Sequence, residues 1–138
     1  MTPNQLAVLY LNSLQTGDLE GILDLFAPDG MVHSPLYGPM PAPDFYAQIF
    51  KDSKGVELTL HGVSSGKAVG GGQLVMIWFH FDWQFAGGQH VPFDVVDVLE
   101  VNAEGRIETL HIVYDTVNTR PALEQDTGRA SYRMVDAA

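Results

Sequence analysis

The sequence predicts a single α+β domain over residues 1–138: a cone-shaped, curved antiparallel or mixed β-sheet packed on three N-terminal helices. Three observations carry this. Apolar residues recur at helical spacing only within residues 3–50. From residue 56 onward they alternate with period two, in stretches separated by glycine-bearing turns. Finally, a row of inward residues on the strand 89–101 (Val91, Phe93, Val95, Leu99 and Val101) is interrupted by one carboxylate, Asp97, on the same face.

The elements follow in order. Thr2 caps a first helix, with Pro3 at its first position and Gln5 placed for a capping box. Leu6, Leu9, Tyr10 and Leu14 form its stripe, and Gly17 ends it. Asp18 caps a second helix carrying Leu19, Ile22, Leu23 and Phe26. Ala27-Pro28-Asp29-Gly30 reads as a turn and 31–34 as a short strand. Residues 35–43 hold Pro35, Pro39, Pro41, Pro43 and Gly38, and read as an irregular loop. Asp44 caps a third helix with Phe45, Ile49 and Phe50. Strands are expected at 56–63, 73–85, 89–101 and 106–115, with hairpins at Gly87-Gly88 and at Asn102–Gly105. The polar tail, 116–138, is left open between a short helix and a segment draped over the sheet.

Composition narrows the function. A formal charge of -10, with seven Lys+Arg, argues against nucleic acid and against an anionic membrane surface as partners. Without cysteine there is neither a disulfide framework nor a thiolate metal site. No apolar run approaches the ~20 residues of a membrane span. The N-terminus has no basic and apolar leader pattern, so a cytoplasmic location is expected. His80, His90 and His111 share no ligand spacing, and no metal is expected. Gly70–Gly72 lacks the Lys-Ser/Thr and the helix of a phosphate loop.

Asp97 is the local contradiction. An ionised carboxylate buried without a partner is costly, so it requires a partner, a proton or a cavity. It reads either as a pocket group or as a core carboxyl satisfied by a tyrosine.

The order of elements, with Thr16-Gly17-Asp18-Leu19 and Phe26-Ala27-Pro28-Asp29-Gly30, resembles the nuclear transport factor two-like superfamily over residues 3–115. That resemblance implies a cystatin-like α+β barrel enclosing an apolar pocket. The N-terminal half is similar to ketosteroid isomerase, which implies an oxyanion hole of a helix-borne tyrosine and a protonated aspartic acid. Tyr10 and Asp97 stand at those positions. The family's general base is an Asp before a Pro; here the dipeptide is Ser34-Pro35. His33 is the neighbouring candidate, although Ser34 facing the cone turns His33 away unless the chain bulges. Poor turnover of ordinary ketosteroids is therefore expected.

The chain also resembles the SnoaL-like polyketide cyclases, which implies a carboxylate base on the last strand. Asp115 is the candidate there, and Asp97 holds the polar partner's place. Ser34, Leu99, Leu110 and Tyr114 are the expected pocket lining.

Two readings follow. One is a cofactor-free enzyme performing isomerase- or cyclase-like enolate chemistry on a small hydrophobic carbonyl compound. The other is a non-catalytic binding module or dimerisation scaffold holding a hydrophobic ligand. Apolar residues on the second face of the strands (Met76, Trp78, Val96 and Val98) imply a homodimer through the outer sheet face.

Overall fold

The computed structural model describes residues 1–134. Helices α1 (Pro3–Thr16) and α2 (Leu19–Leu23) lead into β1 (Phe26–Ser34) and β2 (Gly38–Pro41). Helix α3 (Ala42–Asp52) follows, then β3 (Ser53–Lys67), β4 (Gln73–Phe85), β5 (His90–Val101), β6 (Ile107–Val113) and α4 (Thr119–Thr127). The strands form one six-stranded curved sheet in the order β2-β1-β6-β5-β4-β3. Only β1 and β6 run parallel; the other neighbours are antiparallel. Among the described residues no helix is long and apolar enough to cross a membrane.

Local chemistry fixes the first helices. Thr2 Oγ1 accepts from the Gln5 N–H at 3.1 Å, and the Gln5 side chain accepts from the Thr2 N–H at 2.8 Å. This reciprocal pair satisfies donors that a helix start leaves orphaned. Gly17 takes the left-handed cap at φ 69°, and Asp18 Oδ1 accepts from the Gly21 N–H at 2.9 Å.

Strand alternation builds the core. Val75, Ile77, Phe79, Phe81, Trp83 and Phe85 all point inward and are buried, while Met76 and Trp78 are exposed. Burying each large apolar side chain contributes about 1.5–3 kcal/mol. The register then sets Asp97 between Ile77 of β4 and Ile112 of β6.

Several expectations change: Phe26 opens β1 and is not part of the second helix, and the last strand ends at Val113, short of residue 115. Residues 38–41 are not irregular: they form β2, paired antiparallel with β1. Prolines fit there because an edge strand offers N–H groups to no further neighbour. Residues 27–30 are not a free turn but part of β1, where a register shift between Phe26 and Met31 absorbs them. Helix α3 begins at Ala42, its Pro41 cap making no side-chain hydrogen bond, so Asp44 lies inside the first turn. Strand β3 runs well beyond 56–63 at both ends. The tail resolves into helix α4, closed by Gly128 at φ 70°; its last residues, 135–138, lie outside the described ones.

A phenol and carboxyl site in an apolar cavity

Helix α1, helix α3 and the inner faces of β4, β5 and β6 enclose a cavity lined by Tyr10, Ser34, Tyr37, Tyr46, Asp97 and Tyr114, with walls of Phe79, Phe81 and Trp83 among others. The cavity open to a water-sized molecule is about 30 Å³. That is room for about one or two waters. Stacked rings take up the space: Tyr114 on Phe93 at 4.3 Å between centroids, and Phe93 on Phe81 at 5.1 Å.

Asp97 is 2% exposed, and its Oδ1 has no hydrogen-bond partner among the described residues. Burial pushes its pKa up to about 8, against an opposing pull from the Tyr10 hydroxyl. At neutral pH the group is therefore a carboxylic acid with a proton to donate. Tyr10 is equally buried, and its hydroxyl lies 2.7 Å from that of Tyr46, in hydrogen bond. Both phenols are held protonated well above the ordinary tyrosine range. Burial is the first cause for each; the coulombic effect of Asp97 adds to it in both. Tyr10 makes its one regular hydrogen bond to Tyr46, which leaves the Asp97 carboxyl facing the cavity.

The expected residues divide. Tyr10, Asp97, Ser34 and Tyr114 meet at the cavity. Ser34 Oγ accepts from the N–H groups of Leu36 and Tyr37 at 3.1 and 3.2 Å, so it organises its own turn. Burial raises the Tyr114 hydroxyl above its ordinary range.

His33 is not in the cavity. It sits one residue from Ser34 on a strand that does not bulge there, so it faces outward and stacks on His111 at 4.4 Å. Asp115 is exposed beyond the end of β6, accepts from the Val117 N–H at 2.9 Å, and is not among the residues lining the cavity. Leu99 and Leu110 are fully buried and paired across β5 and β6, but they lie in the packed core rather than on the cavity wall. Alternation gave their face correctly and could not give their depth.

Tyr46 was missed. Its signal was present: Ala42, Tyr46 and Phe50 fall at i, i+4 and i+8 along α3, the spacing of an inward stripe. Among the described residues Asp97 is the only carboxylic acid lining the cavity, and no histidine or lysine joins it. The described residues also contain no cluster of histidine and carboxylate able to hold a metal ion. The arrangement can thus donate hydrogen bonds to a ligand oxygen in a dry setting, where such bonds are strong.

The fold and its site can now be set beside known proteins. The model of the SnoaL-like domain matches residues 7–109. An NTF2-like protein of unknown function from Burkholderia pseudomallei K96243 superposes with a TM-score of 0.72 at 19% identity, covering 89% of this chain and 98% of its own. TerC, co-crystallised with polyporic acid, gives 0.68 at 19% identity, with 89% and 99% covered. SalBIII, an epoxide hydrolase/cyclase-like enzyme with a role in pyran ring formation in the polyether salinomycin, gives 0.67 at 14% identity, with 84% and 92% covered. At these identities the structures show a shared fold, and the match over residues 7–109 shows more: this chain belongs to the SnoaL-like domain family.

Proposed function

We propose that the cavity takes the oxygen-bearing end of a small apolar carbonyl compound and assists cofactor-free enolate chemistry of the cyclase type. The carrying observation is the buried Asp97 Oδ1 without a partner, facing an apolar cavity beside the Tyr10–Tyr46 pair. A carbonyl oxygen placed there receives a hydrogen bond from the protonated carboxyl, and Tyr10 lies beside it as a second donor. Both bonds strengthen as the oxygen gains negative charge.

The missing base selects the substrate class. Isomerisation of a simple ketone needs a protein group to take a proton from carbon. Ser34 is too weak an acceptor, and the lining supplies no other. A compound whose C–H is already acidic, such as a β-dicarbonyl, gives up that proton to water or hydroxide. Stabilising its enolate oxygen then suffices. Likeness of fold to TerC, co-crystallised with polyporic acid, and to SalBIII, with its role in pyran ring formation, supports this reading.

The test is enolisation of benzoylacetone followed by its ultraviolet absorbance. Wild type should accelerate it, and Asp97→Asn or Tyr10→Phe should each cost about 10²-fold, the usual loss for one oxyanion donor. Acceleration should fade as pH rises through about 8, where Asp97 loses its proton. Binding of benzoylacetone without acceleration would instead make the protein a carrier. That second reading is supported by the absence of a base among the lining residues described.

We further propose a second copy of the chain on the outer sheet face, where Trp78 is 51% and Val113 57% exposed. Sedimentation at micromolar concentration should give a dimer, and Trp78→Glu a monomer. A monomeric wild type would end the idea.

A further inference from the structure

A second pocket of about 420 Å³ lies beside the first, lined by Gln48, Thr127, Arg129 and Ser131 among others. One residue, Tyr37, lines both. Tyr37 therefore stands between a largely apolar inner chamber and a more polar outer one.

Tyr37 is pinned by a carboxylate that it shares. Its hydroxyl donates to Asp52 Oδ2 at 2.7 Å, and Arg129 Nη2 donates to the same oxygen at 2.6 Å. Gln48 Nε2 donates to Oδ1 at 3.0 Å. Asp52 is buried, whereas the Arg129 side chain is half exposed. Arg129 begins the segment 129–133 that straps the loop carrying Tyr37. Within it, the Tyr132 N–H donates to the Leu36 carbonyl at 2.8 Å. Arg120 Nη2 donates to the Pro35 carbonyl at 3.1 Å and its Nη1 to Ser131 Oγ at 2.7 Å. The Tyr132 ring also presses on Gly38, where a Cβ would come within 2.7 Å of it; Gly38 holds φ +77°.

We infer that Tyr37 and the 129–133 strap are the gate of the inner chamber, and that Arg129 is the recognition point for an anionic group on an elongated, otherwise apolar ligand. Arg129 is the only cation lining the outer pocket, in a chain of net charge -10. An anion arriving there competes with Asp52 for the guanidinium. Success frees the 129–133 strap from Asp52, and with it the hold on the loop that carries Tyr37. The ring then swings, the two pockets join, and the apolar body passes inward toward Asp97. Recognition and opening are thus one event at one oxygen atom. The inference rests on the inner cavity being the ligand chamber, and not on any chemistry performed there.

The test uses two fluorescent probes sharing one body, 8-anilinonaphthalene-1-sulfonate and the neutral N-phenyl-1-naphthylamine, in stopped flow with the full chain. A closed gate keeps the open form at about 10% or less, so removing the ring with Tyr37→Ala should speed association of both probes ~10-fold or more. Arg129→Met should speed the neutral probe, while the sulfonate loses at least ~5-fold in relative affinity as its charge-assisted bond disappears. Probe association reads the gate and benzoylacetone enolisation reads the chemistry, so a wild type that gates without enolising separates the two proposals. Melting curves check that each variant is folded. Association rates equal to wild type in folded Tyr37→Ala, or no probe binding at all in it, would overturn the gate. Equal responses of both probes to Arg129→Met would overturn anion recognition.

Discussion

Asp97→Asn should make the folded protein more stable than wild type above pH 8 and of similar stability at pH 4. The sign follows from the direction of the shift. The Asp97 pKa is raised from 3.8 to about 8 by burial, so the folded state holds a proton that the unfolded chain releases near pH 4. The neutral carboxyl is harmless below pH 4. As pH rises from about 4 to 8, the unfolded state gains the freedom to ionise and the folded state does not, so stability falls through that window. Above pH 8 the folded state must carry the charge in place. A shift of roughly four units sets a ceiling of ~6 kcal/mol on the loss, and relaxation around the site brings the expected value to a few kcal/mol. The asparagine variant has no such ionisation. Denaturant titrations of both proteins at pH 5 and pH 9 isolate the effect, because every other titrating group is common to the pair. Parallel stability curves would mean that Asp97 ionises as an ordinary surface carboxylate does.

Ser34→Asp should raise ketone isomerase activity well above that of wild type. The position lines the cavity, and the resemblance to ketosteroid isomerase puts its base there. An aspartate can keep the turn by accepting from the Leu36 and Tyr37 N–H groups with one oxygen, as Ser34 Oγ does now. Its second oxygen then faces the chamber. A positioned general base contributes about 10²–10⁴-fold. The variant should therefore convert cyclohex-3-enone to its conjugated isomer at least ~100-fold faster than wild type does. A second carboxylate nearby also raises Asp97 further, keeping it protonated as a donor. Ser34→Asn, which has the shape without the basicity, should stay at the wild-type level. If folded Ser34→Asp gains nothing, Tyr10 and Asp97 are not acting as oxyanion donors.

Much of this site could be read from the chain, and the reasons for the rest are physical. Asp97 announced itself because alternation along 89–101 left one charge in an apolar row, and it is 2% exposed. The strand 73–85 was legible to its ends because six inward side chains and flanking glycines bounded it. Strand β2 was not, since prolines forbid central strands but not edges, and sequence alone does not say which strand lies at an edge. His33 and Asp115 fell out of the site by parity and by exposure, while the depth of Leu99 and Leu110 needed the closed sheet. The Asp52–Arg129 pair spans 77 residues of chain, and no periodic pattern announces a contact of that separation.

The prolines of β2 have one more effect. Pro39 and Pro41 carry no amide hydrogen, so at that border of the sheet an incoming strand finds few donors to grip. The opposite border, β3, is fifteen residues long and largely open to water. Growth by strand addition therefore has one border of the sheet to use instead of two.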